Sequence, residues 1–403
     1  MKLQDQETAT TKRIEILDVY RGFAIFGIFA VNIVIMNSTF LNQDEFALQW
    51  TYSIDTITQK VLQLFFYTKF FPIFSLLFGL GISMQAIKLA EKGKMSTTFF
   101  VRRMFFLFLF GVLHISLLWS GDVLNMYAFL GLLTVFFIKK SNRLILGLSL
   151  LFLLFPFYDL VFEQIFYTVG FNPSQFLKDH SGETVSKIIK SGSYLEGMQL
   201  RFSEYGANFP MLVGFLAPIA LSMFLLGLYL GKNKIYESLE SFIIKIKKPV
   251  LIIVVISNVY RILFLYVFVK LNVYKIEIVR QLFIKFMVIS DVIMGLFYLW
   301  IIGWLWYKTK FRKILSPLKY AGKMALTNYL MQSFIGLLLF SSVGFSLYET
   351  MSPSLAFLTA ILVFVFQIII SKIWLSYFKF GPLEWLWRCL TYRKLFKLKK
   401  DVN

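Results

Sequence analysis

The sequence predicts an all-α polytopic membrane protein of about ten transmembrane helices, with both termini in the cytoplasm. Three observations carry that prediction. Of 403 residues, 58% are hydrophobic and only 16% charged, against roughly 45–50% and about 25% in soluble chains. The apolar residues, 47 Phe among them, fill continuous runs such as 103–119 and 143–158 instead of one face of each helix, so their natural solvent is lipid. Lys and Arg recur in connections that alternate along the chain. A soluble enzyme, a disordered chain and a disulfide scaffold are excluded. The formal net charge of +20 then reports orientation first, and is no nucleic-acid footprint.

With about 20 apolar residues needed per crossing, ten stretches qualify: near 19–38, 61–87, 103–119, 123–138, 143–163, 208–231, 249–269, 286–306, 324–343 and 353–378. The first carries Arg21 and lacks a small-x-small cleavage pattern, so it reads as a retained span, not a signal peptide. The second is long, with Lys69 placed to snorkel outward, and the fourth is short. The segments 1–18, 88–103, 139–143, 232–248, 308–323 and 379–403 hold 29 Lys and Arg, while those on the opposite side hold 9. The positive-inside rule therefore puts the first set in the cytoplasm. The connection 270–285 is the weak point, with four basic residues on the outer side.

The chain divides into a cytoplasmic segment 1–18, one membrane domain 19–378 and a basic cytoplasmic tail 379–403. In the tail, Gly381-Pro382 breaks the chain ahead of an interfacial segment with Trp anchors. The outer loop 159–206 is too short for a core of its own; it reads as a lid, an acceptor-binding cap or a plain connection. Gly79 and Gly81 permit close helix packing. Cys389 is alone, and no Cys/His cluster has metal-ligand spacing, so neither a metal nor a tightly bound cofactor is expected.

Ionisable groups within lipid cost about 2.5–3.5 kcal/mol each, so each needs a partner or a task. Asn32 lies about 20 Å along the first span, His114 about 16 Å along the third and Arg261 about 18 Å along the seventh; Asp291 lies about 8 Å from the outer end of the eighth. These four fall in one layer. Arg261 and Asp291 form either a buried ion pair or an anion-binding pair facing a cavity. His114 either hydrogen-bonds a neighbouring helix or acts as a base or acyl carrier. Asp122, in the turn Ser120-Gly121-Asp122, lies some 12 Å beyond His114 along a helical path, so a contact requires the helix to break and fold back. Asp18 and Arg21 share a helix face at the inner edge. Asn328 and Gln332 form a polar stripe that hydrogen-bonds another helix or lines a cavity.

Asp18-Val-Tyr-Arg21-Gly22, Leu-Phe-Gly79-Leu-Gly81, Gly111-x-x-His114 with Gly121-Asp122-Val-Leu, Met324-Ala-Leu-Thr-Asn328-Tyr-x-x-Gln332-Ser333 and Gly381-Pro382-Leu-Glu384-Trp385-x-Trp387-Arg388 together resemble the YeiB-like family of bacterial multi-pass membrane proteins, which carries domain of unknown function 418. The resemblance runs from about residue 14 to 395, and it implies a bacterial plasma membrane. It extends distantly to transmembrane acyltransferases that take an acyl group from cytosolic acyl-CoA to a glycan on the far side through a histidine within the membrane. Carried over residue by residue, it implies His114 as base or acyl carrier, with Asn32 and Asp122 beside it. Arg21, Arg102 and Arg103 would hold the acyl-CoA co-substrate at the inner edge, with Asn328 and Gln332 lining the same site.

Three functions compete. The first is a membrane acyltransferase acting on a cell-envelope glycan or glycolipid. The second is a transporter of an anionic or amphipathic solute, with Arg261 and Asp291 as substrate-binding groups. The third is a non-catalytic membrane partner of another envelope protein. All three share the lipid bilayer as solvent, and none involves nucleic acid.

Overall fold

The computed structural model describes residues 14–38 and 41–401. Residues 1–13 of the expected N-terminal segment lie outside the described residues. Among those described, helices form the whole architecture, and a single antiparallel bridge between Phe378 and Lys399 stands where a sheet would be. The all-α prediction holds.

In chain order, α1 (Glu15–Asn37) is followed by the short α2 (Gln43–Gln49), then by α3 (Ser53–Phe65) and α4 (Phe70–Glu91), one path interrupted at 66–69. A hairpin follows, α5 (Thr97–Leu117) and α6 (Leu124–Phe136), and then α7 (Asn142–Leu154) and α8 (Tyr158–Val169). These last two meet at an 82° bend where Pro156 removes a backbone donor. Next come α9 (Gly182–Ser191) and α10 (Tyr194–Ala207), the latter opened by a capping box between Ser193 and Glu196. A π-helical stretch, Met211–Leu216, leads into α11 (Ala217–Lys232). The remaining helices are α12 (Leu239–Lys245), α13 (Lys247–Tyr266), α14 (Glu277–Trp306), α15 (Thr309–Leu315), α16 (Leu318–Lys323), α17 (Ala325–Phe340), α18 (Pro353–Tyr377) and α19 (Pro382–Tyr392).

Seven of these paths are long and apolar enough to cross a membrane, or eight if the bent pair α7–α8 is one span. The ten expected stretches are these paths together with two shorter apolar helices. The fourth and ninth stretches are α6 and α17, with 13 and 16 residues, rising about 20 and 24 Å against a hydrocarbon core of about 30 Å. The connection 270–285 also shrinks, because α14 begins at Glu277 and carries Arg280 and Lys285 on its first turns.

Packing sorts the helices into inner and outer sets. Helices α4 and α11 run parallel, close enough that a Cβ on Gly79 would lie 2.1 Å from the Phe224 carbonyl oxygen, and one on Gly227 equally close to that of Leu76. Only glycine admits that approach. Gly81, expected to serve the same purpose, has open space around it. Helix α13 buries only 11% of its spanning window and exposes Ile252, Val255, Ile256 and Ile262. Apolar faces of this kind belong against lipid.

The two ends of the bundle differ. A basic end gathers the start of α1 and α5, the end of α4, and α16 and α19, while the far end carries α9 and α10. The break at Gly381-Pro382 does precede a helix, α19, and its tryptophans tie that helix to the rest of the chain. Trp385 Nε1 donates to the Phe396 carbonyl at 2.7 Å and Trp387 Nε1 to that of Arg103 at 2.9 Å, and the Arg103 guanidinium stacks on the Trp387 ring.

Candidate functional site

A cavity of about 2000 Å³ runs through the bundle. Its wall on α1 extends from Ile14 to Ile35, a rise of about 30 Å, the thickness of the hydrocarbon core. The middle is apolar and aromatic, lined by Phe70, Phe74, Phe78 and Tyr127; Arg21, Lys88, Arg103 and Arg388 surround the basic end. At the far end the wall includes Asn32, Trp119, Asp122, Tyr205 and Tyr329.

The far end is organised by the α5–α6 hairpin. Helix α5 stops at Leu117, the chain turns through 118–123, and Asp122 folds back so that its Oδ1 lies 2.8 Å from His114 Nδ1. The turn is closed by the Asp122 amide, which donates to the Ser120 carbonyl at 2.9 Å. Asp122 Oδ2 accepts from the Asn125 backbone amide at 3.1 Å. In the tautomer with the proton on Nδ1, His114 donates to Asp122 Oδ1 and Nε2 keeps its lone pair. His114 Nε2 is buried and has no hydrogen-bond partner among the described residues, a state that costs about 1–3 kcal/mol and calls for an explanation. Gly111 is what allows the return, since a Cβ there would lie 2.6 Å from the Asn125 nitrogen and 2.8 Å from Asp122 Oδ2. His114 itself is 1% exposed. It sits one layer behind the wall formed by Asp122 and by Tyr329, whose ring centroid is 5.2 Å from the imidazole.

Helix α10 is strapped over this hairpin. Tyr194 Oη donates to the Leu117 carbonyl at 2.8 Å, Arg201 Nη2 to that of Ser116 at 2.9 Å, Ser120 Oγ to Glu204 Oε2 at 2.6 Å, and Asn125 Nδ2 to Tyr205 Oη at 2.6 Å. Burial pushes the Glu204 carboxyl up to about 7, against the opposing pull of Ser120 and Arg201. Because the folded protein holds this proton more tightly than the unfolded chain, stability falls as pH rises from about 4.5 to about 7. At about 1.4 kcal/mol per pKa unit, the cost above that window is on the order of 3 kcal/mol. Glu204→Gln should flatten this part of the melting temperature's pH profile; an unaltered profile would show that Glu204 does not cause it.

A second polar cluster joins α3, α4, α13 and α14. Asp291 Oδ1 lies 2.8 Å from Lys69 Nζ and 3.0 Å from Arg261 Nε, and Thr68 donates to Oδ2. Lys69 thus corrects its expected outward course: it is fully buried. Two cations share one carboxylate, and the balance comes from the broken end of α3. The carbonyls of Gln63 and Leu64 accept from Lys69 and Arg261, and that of Phe65 from Tyr298. These are the oxygens a helix end leaves without partners, and in lipid they must be satisfied within the protein. Thr68, at φ 63°, makes the turn. Arg261 and Asp291 are ion-paired and absent from the cavity wall, which corrects their expected role as substrate-binding groups.

Three further expectations are corrected. Asn328 Nδ2 donates to the Ala321 carbonyl and to Ser371 Oγ, and Gln332 Nε2 to Gln367 Oε1 at 2.9 Å. Their amide nitrogens join α17 to α16 and α18, and neither residue belongs to the cavity wall. Arg102 points away from the cavity and donates to the Thr391 carbonyl; its neighbour Arg103 does line it. Arg21 lines it too, at 2.9 Å from Asp18. Sequence reasoning missed Asn125, Tyr205, Glu204 and Tyr329. The signal available for Tyr329 was its place next to Asn328 in the polar stripe.

Fold and cavity define a polytopic helical membrane protein with a polar centre at one end of an internal, largely apolar cavity. The chain belongs to the YeiB-like family that carries domain of unknown function 418. The family model described as "Protein of unknown function (DUF418)" matches residues 230–394. "Uncharacterized protein YxaH" of Bacillus subtilis (strain 168) is 32% identical, over 96% of each chain. "Uncharacterized protein YeiB" of Escherichia coli (strain K12) is 27% identical, over 94% of this chain and 96% of its own. A Bacillus acidopullulyticus relative, "Uncharacterized 39.9 kDa protein in amylase 3'region", is 30% identical over 98% and 99%. No solved structure matches the chain.

Proposed function

We propose that this protein is a membrane acyltransferase of the bacterial plasma membrane. It moves an acyl group from acyl-CoA at the basic end to a cell-envelope glycan or glycolipid at the far end, with His114 as the base. The observation that carries the reading is the His114–Asp122 pair, with a partnerless Nε2, placed at the opposite end of the cavity from Arg21, Arg103 and Arg388. The basic end suits the phosphates of CoA, and the apolar middle suits the pantetheine arm and acyl chain. At the far end, Nε2 takes the proton from the acceptor hydroxyl as its oxygen attacks the thioester carbon. The C–S bond breaks as the C–O bond forms, and the proton passes from Nε2 to the departing thiolate. Asp122 holds the imidazole in the tautomer this requires. Asn32, in the same wall, supplies an amide donor for the carbonyl oxygen.

The test is a calorimetric titration of the purified protein with acetyl-CoA and with free CoA, together with assay of CoA release. Both ligands should bind, and Arg103→Ala should weaken both by at least tenfold; the absence of binding overturns the reading. The end-to-end cavity also favours a second reading, a permease, whose signature is solute flux in liposomes without CoA.

A further inference from the structure

The acyl donor and the acceptor need separate seats, and the far end offers a second one. A pocket of about 80 Å³ lies between α10, the far end of α1 and α17. It adjoins the large cavity at the residues common to both walls, Ile35, Trp119 and Ser120. At about 30 Å³ per water, it has room for about three waters, the space for one edge of a small hydroxylated ring.

Its chemistry is equally restrictive. Ser333 belongs to its wall, and its buried Oγ has no hydrogen-bond partner among the described residues. Arg201 and Glu204 line it together, a guanidinium and a carboxyl, so the pocket presents donors and acceptors side by side. Arg201 spends Nε and Nη2 on the Ser116 carbonyl, and Glu204 receives Ser120 on Oε2. This leaves Arg201 Nη1 as a donor, with Glu204 Oε1 and the Ser333 hydroxyl each able to accept or donate. The rings of Trp119 and Tyr194 add flat apolar faces. A neutral unit with several hydroxyl groups satisfies this set, whereas a purely apolar ligand would leave it unsatisfied.

We infer that this pocket is the acceptor subsite, which seats one edge of a neutral polyhydroxylated ring, a sugar unit, and presents a hydroxyl to His114 across Trp119 and Ser120. The inference rests on the transferase reading for its reaction and on the pocket alone for its ligand. It gives Ser120 a linking role: its hydroxyl faces Glu204 in the pocket, and its carbonyl closes the turn that sets Asp122 against His114. Occupancy of the pocket is thereby coupled to the geometry of the base.

The test uses methyl β-glucoside as the probe and quenching of tryptophan fluorescence as the readout, on the full chain in detergent. The wild-type protein should show saturable quenching. Ser333→Val, which fills the pocket, and Glu204→Gln, which keeps its shape, should each weaken the affinity at least tenfold, with a sharp melting transition retained. Wild-type protein that is not quenched, or variants that bind as wild type does, overturn the subsite. If either variant fails to fold, Ser333→Ala takes its place and carries the same expectation. Quenching that behaves as expected, in a protein that binds no acyl-CoA, leaves the subsite standing and removes the transferase. Acyl-CoA turnover with no response to the glucoside does the reverse.

Discussion

His114→Ala should abolish acyl transfer, lowering its rate by about 10²–10⁴-fold, the usual contribution of a positioned general base, while the protein stays folded. The loss should fall on turnover and not on acyl-CoA affinity. Arg103 lies eleven residues before His114 on α5, about 16 Å of helix, so the donor's phosphates would bind far from the imidazole. Asp122→Asn should also lower the rate, because an amide in place of the carboxylate no longer enforces the Nδ1–H tautomer. The two substitutions together should cost little more than His114→Ala alone, as expected for groups that act as a unit. Single-turnover assays with labelled acetyl-CoA and a glycoside acceptor read all three. Transfer at the wild-type rate in His114→Ala would remove the base from the mechanism.

The arrangement around His114 shows how far the sequence could be read. A histidine within an apolar span and an acid in a Ser-Gly-Asp turn eight residues later are both visible, and so is the need for a fold-back if they are to meet. What the sequence does not contain is the space for it. That comes from Gly111, which looks like any membrane glycine until Asp122 and Asn125 are found against it. Helix α10 was legible only as part of a loop of mixed charge, and its five hydrogen bonds to the hairpin depend on a register that no local pattern sets. The polar stripe on α17 shows the opposite limit. Asn328 and Gln332 have the right spacing to share a face, but the partner of that face, Gln367 and Ser371 on α18, is decided by which helices pack together. The burial of Lys69 was illegible for a simpler reason. A straight span through 61–87 lets its amine reach the interface, and only the break after Phe65 turns it inward.

That break supports the second large effect. Asp291→Asn should destabilise the protein by about 3–5 kcal/mol, the cost of leaving buried charge uncompensated, because it removes the one carboxylate that faces both Lys69 and Arg261. Lys69→Met should cost less. It leaves Arg261 and Asp291 as a one-to-one pair, and the main loss is the donor to the Tyr67 and Gln63 carbonyls. Arg261→Met leaves the Lys69–Asp291 pair, but it also strips the donors to Leu64 and Asn258, so it should fall between the two. The order Asp291→Asn, Arg261→Met, Lys69→Met is specific to a cluster with one anion between two cations and a broken helix end. In an isolated Arg261–Asp291 pair, removing either partner would cost about the same and Lys69 would not matter. Melting temperatures in detergent decide between these. They should respond little to added salt, because ions screen exposed charges and these are buried.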